Sequence, residues 1–164
     1  MGGEGAIIAY CTELARHGGR LVASKLGTEV MDNDSHTHSD CCFTTVKLPI
    51  DMEKVRRTAD VYEASQILSK ASKQQAQQSL KEQEVGRDQK QESMHRSYGD
   101  LVRDRIVKLL VDEYCTFMAV VFYCEAWWVR LSAQIYLELE DFAWSANVLK
   151  EVCAIVETTF ADDL

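Results

Sequence analysis

The stretch Trp127-Trp128-Val129-Arg130-Leu131-Ser132-Ala133-Gln134 holds the residues best suited to binding a small polar ligand. Strand alternation puts Trp127, Val129, Leu131 and Ala133 on one face, and Trp128, Arg130, Ser132 and Gln134 on the other. An arginine in an otherwise apolar strand is costly unless its charge is partnered. Its planar fork grips a carboxylate through two parallel hydrogen bonds, which a lysine cannot do. Two kinds of partner are open to Arg130: a ligand carboxylate, or an Asp or Glu of this acidic chain. Ser132 shares the face and is placed to assist.

Other constellations carry less. His36-Thr37-His38-Ser39-Asp40-Cys41-Cys42 offers zinc-ligand types, but structural zinc uses paired CxxC or HxxxH spacings. Cys41 and Cys42 also fall on opposite strand faces, so a polar surface hairpin is expected and no metal. Cys11, Cys115, Cys124 and Cys153 fall on apolar stripes or strands and read as small core residues, with Cys124 at a reversal the most accessible. His17 reads as a partner for the negative end of the first helix. Gly2-Gly3 and Gly18-Gly19 do not follow a strand and open a helix, so neither is a phosphate loop. Trp127, Trp128 and Trp144 read as core and interface anchors rather than a stacking platform.

Seven elements are expected to position these residues. Ile7, Cys11, Leu14, Gly18 and Leu21 recur at helical steps, with Gly27 as a stop. Thr28 to Met31 reads as a short extended piece, and Asp32 to Ser35 as a turn. Cys41 to Leu48 alternates as a half-buried strand with Cys42, Thr44, Val46 and Leu48 on one side. Asp51 caps a helix whose stripe runs Met52, Val55, Ala59, Tyr62. Residues 73–97 hold almost no large apolar side chain and read as a Gln-rich insertion, helical or disordered, inside a single domain spanning 1–164. A helix then carries Leu101 or Val102, Ile106, Leu109 and Leu110. Thr116 to Tyr123 and Trp127 to Ala133 form a hairpin reversing at Cys124-Glu125. The last helix buries Phe142, Ala146, Leu149, Val152 or Cys153, Val156 and Phe160. The order α-β-β-α-β-β-α, with the polar insertion inside the one middle helical region, points to an α+β fold, with a small, mostly antiparallel sheet and helices on one face.

Composition narrows the function. The 164 residues carry 18 Lys and Arg against 26 Asp and Glu, a net charge of −8. A nucleic-acid binder needs a basic surface, and so does a protein held to an anionic membrane; neither partner is expected. No run reaches the ~18–20 apolar residues of a membrane span. Met1-Gly2-Gly3-Glu4-Gly5 has no basic, apolar leader pattern, and the six cysteines read as reduced thiols of a cytoplasmic protein.

Five stretches, in order, resemble one family. Tyr10 to Gly19, Leu26 to Val30, Cys41 to Pro49, Leu110 to Phe117 and Trp127 to Phe142 look like the C-terminal small domain of class V aminotransferase-fold enzymes. These are fold-type I pyridoxal-phosphate proteins. The most similar subgroup is a fungal branch resembling isopenicillin N epimerase and hercynylcysteine sulfoxide lyase. The resemblance covers residues 1–60 and 100–160. It implies that Arg130 binds the α-carboxylate of an amino-acid substrate, with Ser132 beside it, and that the whole enzyme is a homodimer. It also implies pyridoxal phosphate, held mainly by a large upstream domain that supplies the Schiff-base lysine. Lys25, Lys47 and Lys54 sit in the small domain's pattern and do not match that lysine. The chain is therefore expected to be a carboxylate-binding C-terminal portion, inactive alone, of an enzyme that could be a C–S lyase, epimerase, desulfurase or transaminase. The alternative is a non-catalytic interaction or dimerisation module that keeps the fold. The insertion at 73–97 departs from the family pattern.

Overall fold

A computed structural model describes residues 3–35, 37–38, 40–55 and 98–159. Their order is α1 (Glu4–Leu26), β1 (Phe43–Lys47), α2 (described over 52–55), α3 (Tyr98–Tyr114), β2 (Ala119–Tyr123), β3 (Ala126–Ser132) and α4 (Leu139–Thr159). The three strands form one antiparallel sheet in the order β1-β3-β2. This is an α+β fold, as the patterning implies. Thr28 to Met31 does not become a full strand. It contributes a single bridge, Val30 to Val46, beside β1. The insertion proposed at 73–97, and the positions Ala59, Tyr62, His95 and Phe160, lie outside the described residues.

The central strand decides which face is inside. Trp127, Val129, Leu131 and Ala133 are buried, while Arg130, Ser132 and Gln134 on the alternate positions are exposed. Trp128 is the exception on the open face. It is largely covered, its Nε1–H donates to the Tyr123 carbonyl (3.1 Å), and Lys47 Nζ lies 6.0 Å from its ring centroid. Thr44, Val46 and Leu48 are buried on the inner side, as alternation requires.

Helices cover the inner face. α1 packs on β1, α3 packs on β2, and α4 packs against both α1 and α3. The aromatic ring set Tyr98, Phe122 and Trp127 locks α3 to the hairpin, with centroid separations of 4.9–6.2 Å. Trp127 Nε1–H donates to the Gly99 carbonyl at 3.0 Å, so the buried indole is satisfied. α3 buries Val102, Ile106, Leu109 and Leu110, and α4 buries Phe142, Ala146, Leu149, Val152, Cys153 and Val156, matching their apolar stripes.

The buried face of α1 is rotated from the one its largest apolar residues suggest. Cys11, Leu14, Ala15, Gly18, Gly19, Val22, Ala23 and Leu26 are inside, whereas Ile7 and Tyr10 are 46% and 44% exposed. The cause is close approach. A Cβ at Gly18 would fall 2.6 Å from Phe142 Cε1, and one at Gly19 would fall 2.9 Å from Thr44 Cβ. Small residues let α1 sit directly on α4 and β1, and that fixes the helix's rotation. The helix ends at Gly27, which adopts φ 68°, ψ 33° and donates back to α1 carbonyls. His17 lies well before that end, opposite Glu13 at 3.9 Å, so it is not the terminal partner expected; Lys25 holds the last turn.

Asp51 caps α2 as expected, its Oδ1 accepting from the backbone N–H of Glu53 (2.9 Å) and Lys54 (3.4 Å). Cys124 and Glu125 form the hairpin reversal with φ of 47° and 55°. Positive φ at both central residues gives the twist that two-residue hairpins need.

Candidate functional site

Arg130 stands at the centre of the open sheet face, between Thr45 of β1 and Ala119 of β2. Its side chain is exposed, so the desolvation cost expected of an arginine in an apolar strand does not arise. No carboxylate among the described residues forms an ion pair with it. Its guanidinium carbon instead lies 5.7 Å from the centroid of the Phe43 ring. Phe43 is paired with Ser132, so it is the diagonal neighbour of Arg130 on the same face, a spacing that long and aromatic side chains can bridge. A cation–π contact of this kind uses the charge without using the N–H fork of the guanidinium.

A groove of about 490 Å³ opens beside this residue. Its floor is the end of β3, with Arg130 and Ser132. Its walls are the approach to β2, the loop after β3 and the first turns of α4. Gln134, Phe117, Tyr136 and Trp144 line it, and the three aromatic residues are 70%, 77% and 48% exposed. The structure therefore brings together Arg130, Ser132 and Gln134, the three polar residues that alternation placed on one face. Arg130 is the one cation among the described lining residues.

The acid nearest in the groove is already used. Asp141 Oδ2 accepts the backbone N–H of Glu138 at 2.8 Å, and the Asp141 N–H donates to the Glu138 carbonyl at 3.2 Å. This reciprocal pair closes the start of α4 in the manner of a capping box. Asp141 is thus held to the helix end rather than to Arg130. The loop that forms the groove wall is fixed from the other side by Tyr10, whose hydroxyl donates to the Leu137 carbonyl at 2.6 Å. Ser145 is buried behind the groove and donates to the Phe142 carbonyl at 2.9 Å.

The aromatic wall was not legible as such. Trp144 reads as an anchor, yet it lies off the buried stripe of α4 and faces the groove. Its signal is positional: two residues after Phe142, it points to the opposite side of the helix. Phe117 lies before β2 rather than within it.

Three of the four cysteines fall as expected and one does not. Cys11 and Cys153 are buried and Cys124 is exposed at the hairpin tip, as expected, but Cys115 is exposed at the end of α3 with φ 49°. Burial, then the nearby Glu157 carboxylate, pushes the Cys153 thiol up to about 12. Among the described residues, no group of three or more His, Cys, Asp or Glu side chains could hold a metal ion. No described helix is long and apolar enough to cross a membrane.

The chain is similar to two L-cysteine desulfhydrase-like proteins of Epichloe uncinata. One is 33% identical over 159 residues, covering 93% of this chain and 28% of the relative. The other is 30% identical over 158 residues, covering 93% of this chain and 29% of the relative. The chain thus spans under a third of the length of these relatives. No family model matches the sequence.

Proposed function

We propose that this chain is the carboxylate-binding C-terminal portion of a pyridoxal-phosphate-dependent enzyme that acts on an amino acid, with Arg130 as the carboxylate clamp. The observation that carries the reading is Arg130 itself: a guanidinium with no ion-pair partner among the described residues, beside the Phe43 ring, on the floor of a groove whose other described polar residues are neutral or already bonded. Ser132 and Gln134 add hydrogen-bonding groups on the same face. The likeness to desulfhydrase-like proteins favours a sulfur-containing amino acid and C–S cleavage, and the resemblance of the five stretches favours the class V aminotransferase-like branch.

Pyridoxal phosphate would supply the electron sink that amino-acid cleavage needs. The described residues do not fit that group. The groove has no lysine among its lining residues; Lys47 is paired with Glu29 at 3.1 Å, and Lys54 with Glu157 at 3.3 Å. The cofactor is therefore assigned to a separate large domain. What this chain contributes is orientation: a carboxylate fixed by two hydrogen bonds to Arg130 restricts how the rest of the substrate can lie.

The exposed Phe117, Val121, Tyr123 and Tyr136 also favour the second reading, a module that binds another protein surface without chemistry. The two differ in what Arg130 does. Titration of the ¹⁵N-labelled chain with L-alanine and with L-alaninamide, followed through the Arg130 Nε–H signal, separates them. The clamp reading predicts a saturable shift with the amino acid, a far smaller one with the amide, and loss of the response in Arg130→Lys. Equal responses to both ligands would leave only the interaction module.

A further inference from the structure

We propose that Cys11 and Cys42 are a redox-active thiol pair that closes to a disulfide when the protein meets a hydroperoxide. Cys11 lies on the buried face of α1, 5% exposed. Cys42 precedes β1, half-buried and packed on the core, and its carbonyl accepts from the Ala133 N–H at 2.8 Å. The Thr12 hydroxyl is 3.9 Å from Cys42 Sγ, which places that sulfur at the Cys11–Thr12 step of the helix. Burial, and then the facing Cys42 thiol, hold the Cys11 thiol above its ordinary value.

The other thiols are arranged differently. Cys41 Sγ donates to the carbonyls of His38 and Phe43, both at 3.3 Å, on the opposite side of the strand from Cys42. Cys153 is buried in α4, and Cys115 and Cys124 are exposed at an α3 end and a hairpin tip. Cys42 therefore combines partial exposure with a second thiol beside it.

The chemistry needs only the hydroperoxide as oxidant. Cys42 sulfur attacks the peroxide oxygen; the S–O bond forms, the O–O bond breaks, and the leaving oxygen departs as alcohol or water with the thiol proton. Cys11 sulfur then attacks Cys42 sulfur; the S–S bond forms and the S–O bond breaks. The hydroxyl leaves as water with the Cys11 proton. Two thiols lose two electrons and the peroxide gains them. The product ties α1 to the residue before Phe43, the ring beneath Arg130.

The test is hydrogen peroxide treatment of the reduced full chain, followed by intact mass and peptide mapping. The expected result is a loss of two hydrogen masses and a crosslink joining the tryptic peptides of Cys11 and Cys42, with fragmentation assigning the link to Cys42 rather than Cys41. In Cys11→Ala the loss disappears and dimedone traps a sulfenic acid on Cys42. In Cys42→Ser, Cys11 stays reduced at the same peroxide dose, which covers the case of a Cys11 variant that fails to fold. A Cys41–Cys42 link, oxidation confined to Cys124, or overoxidation of Cys42 with Cys11 untouched would overturn the assignment.

Discussion

Gly18→Ala tests whether close packing of α1, rather than its apolar stripe, sets the framework beneath the groove. Two effects oppose each other. Alanine is favoured over glycine inside a helix by about 1 kcal/mol. Against this, the new Cβ would sit 2.6 Å from Phe142 Cε1, far inside van der Waals contact. Phe142 is 4% exposed and packed between α4 and the groove, so its ring has little room to retreat. Overpacking of a dense core costs about 1–3 kcal/mol. The expected net is a loss of up to about 2 kcal/mol, from the difference between these ranges. Gly5→Ala is the internal control, because its Cβ meets nothing within 4 Å in the same helix. Urea unfolding followed by circular dichroism should show a lower midpoint for Gly18→Ala at unchanged m, and an equal or higher one for Gly5→Ala. If both variants are stabilised alike, helix propensity governs the site and the packing argument fails.

Trp127→Phe removes the indole N–H that donates to the Gly99 carbonyl, which keeps its own helical donor in α3, and should cost about 0.5–1.5 kcal/mol for that hydrogen bond, read by the same unfolding titration; a neutral outcome would remove the indole hydrogen bond as an anchor of α3. Stability should be insensitive to Cys153 below pH 9 and fall as pH rises from 9.0 towards about 12. In that window the unfolded thiol releases its proton while the folded one keeps it, so the unfolded state binds fewer protons and stability drops with pH. Cys153→Ala should flatten this part of the pH profile, and an unchanged slope would remove the thiol as its source. Borohydride reduction after addition of pyridoxal phosphate should label no single lysine stoichiometrically in this chain; one clean adduct that responds to an added amino acid would place the cofactor on it.

The hairpin and its faces could be read directly from the residues. Two apolar runs flank Cys124-Glu125, and strict alternation through Arg130 and Ser132 has no helical counterpart. The rotation of α1 could not be read so simply. Cys11, Leu14 and Gly18 of its expected stripe are buried, but Ala15, Gly19 and Ala23, which carry weak hydropathy, extend the buried face to one side, while Ile7 and Tyr10 draw the stripe the other way. The extended piece before β1 reduces to one bridge at Val30, flanked by two backbone hydrogen bonds, Met31 N–H to the Thr45 carbonyl and Lys47 N–H to the Glu29 carbonyl. The partner of Arg130 depended on the register that sets Phe43 against Ser132, a tertiary fact that no local pattern encodes. Trp144 shows the same limit: its position off the stripe is visible, but the groove it faces is made by three separate segments.

The most direct test of the central claim is the Arg130→Lys substitution in a chimera that carries this chain in place of the matching segment of an Epichloe uncinata relative. Charged hydrogen bonds contribute about 1.5–3 kcal/mol each, so loss of one of the fork's two bonds, with lysine keeping the other, should raise KM roughly 10- to 150-fold. The account predicts that rise for an amino-acid substrate and little change for its carboxamide. An unchanged KM for the amino acid would contradict it and remove Arg130 from the substrate site.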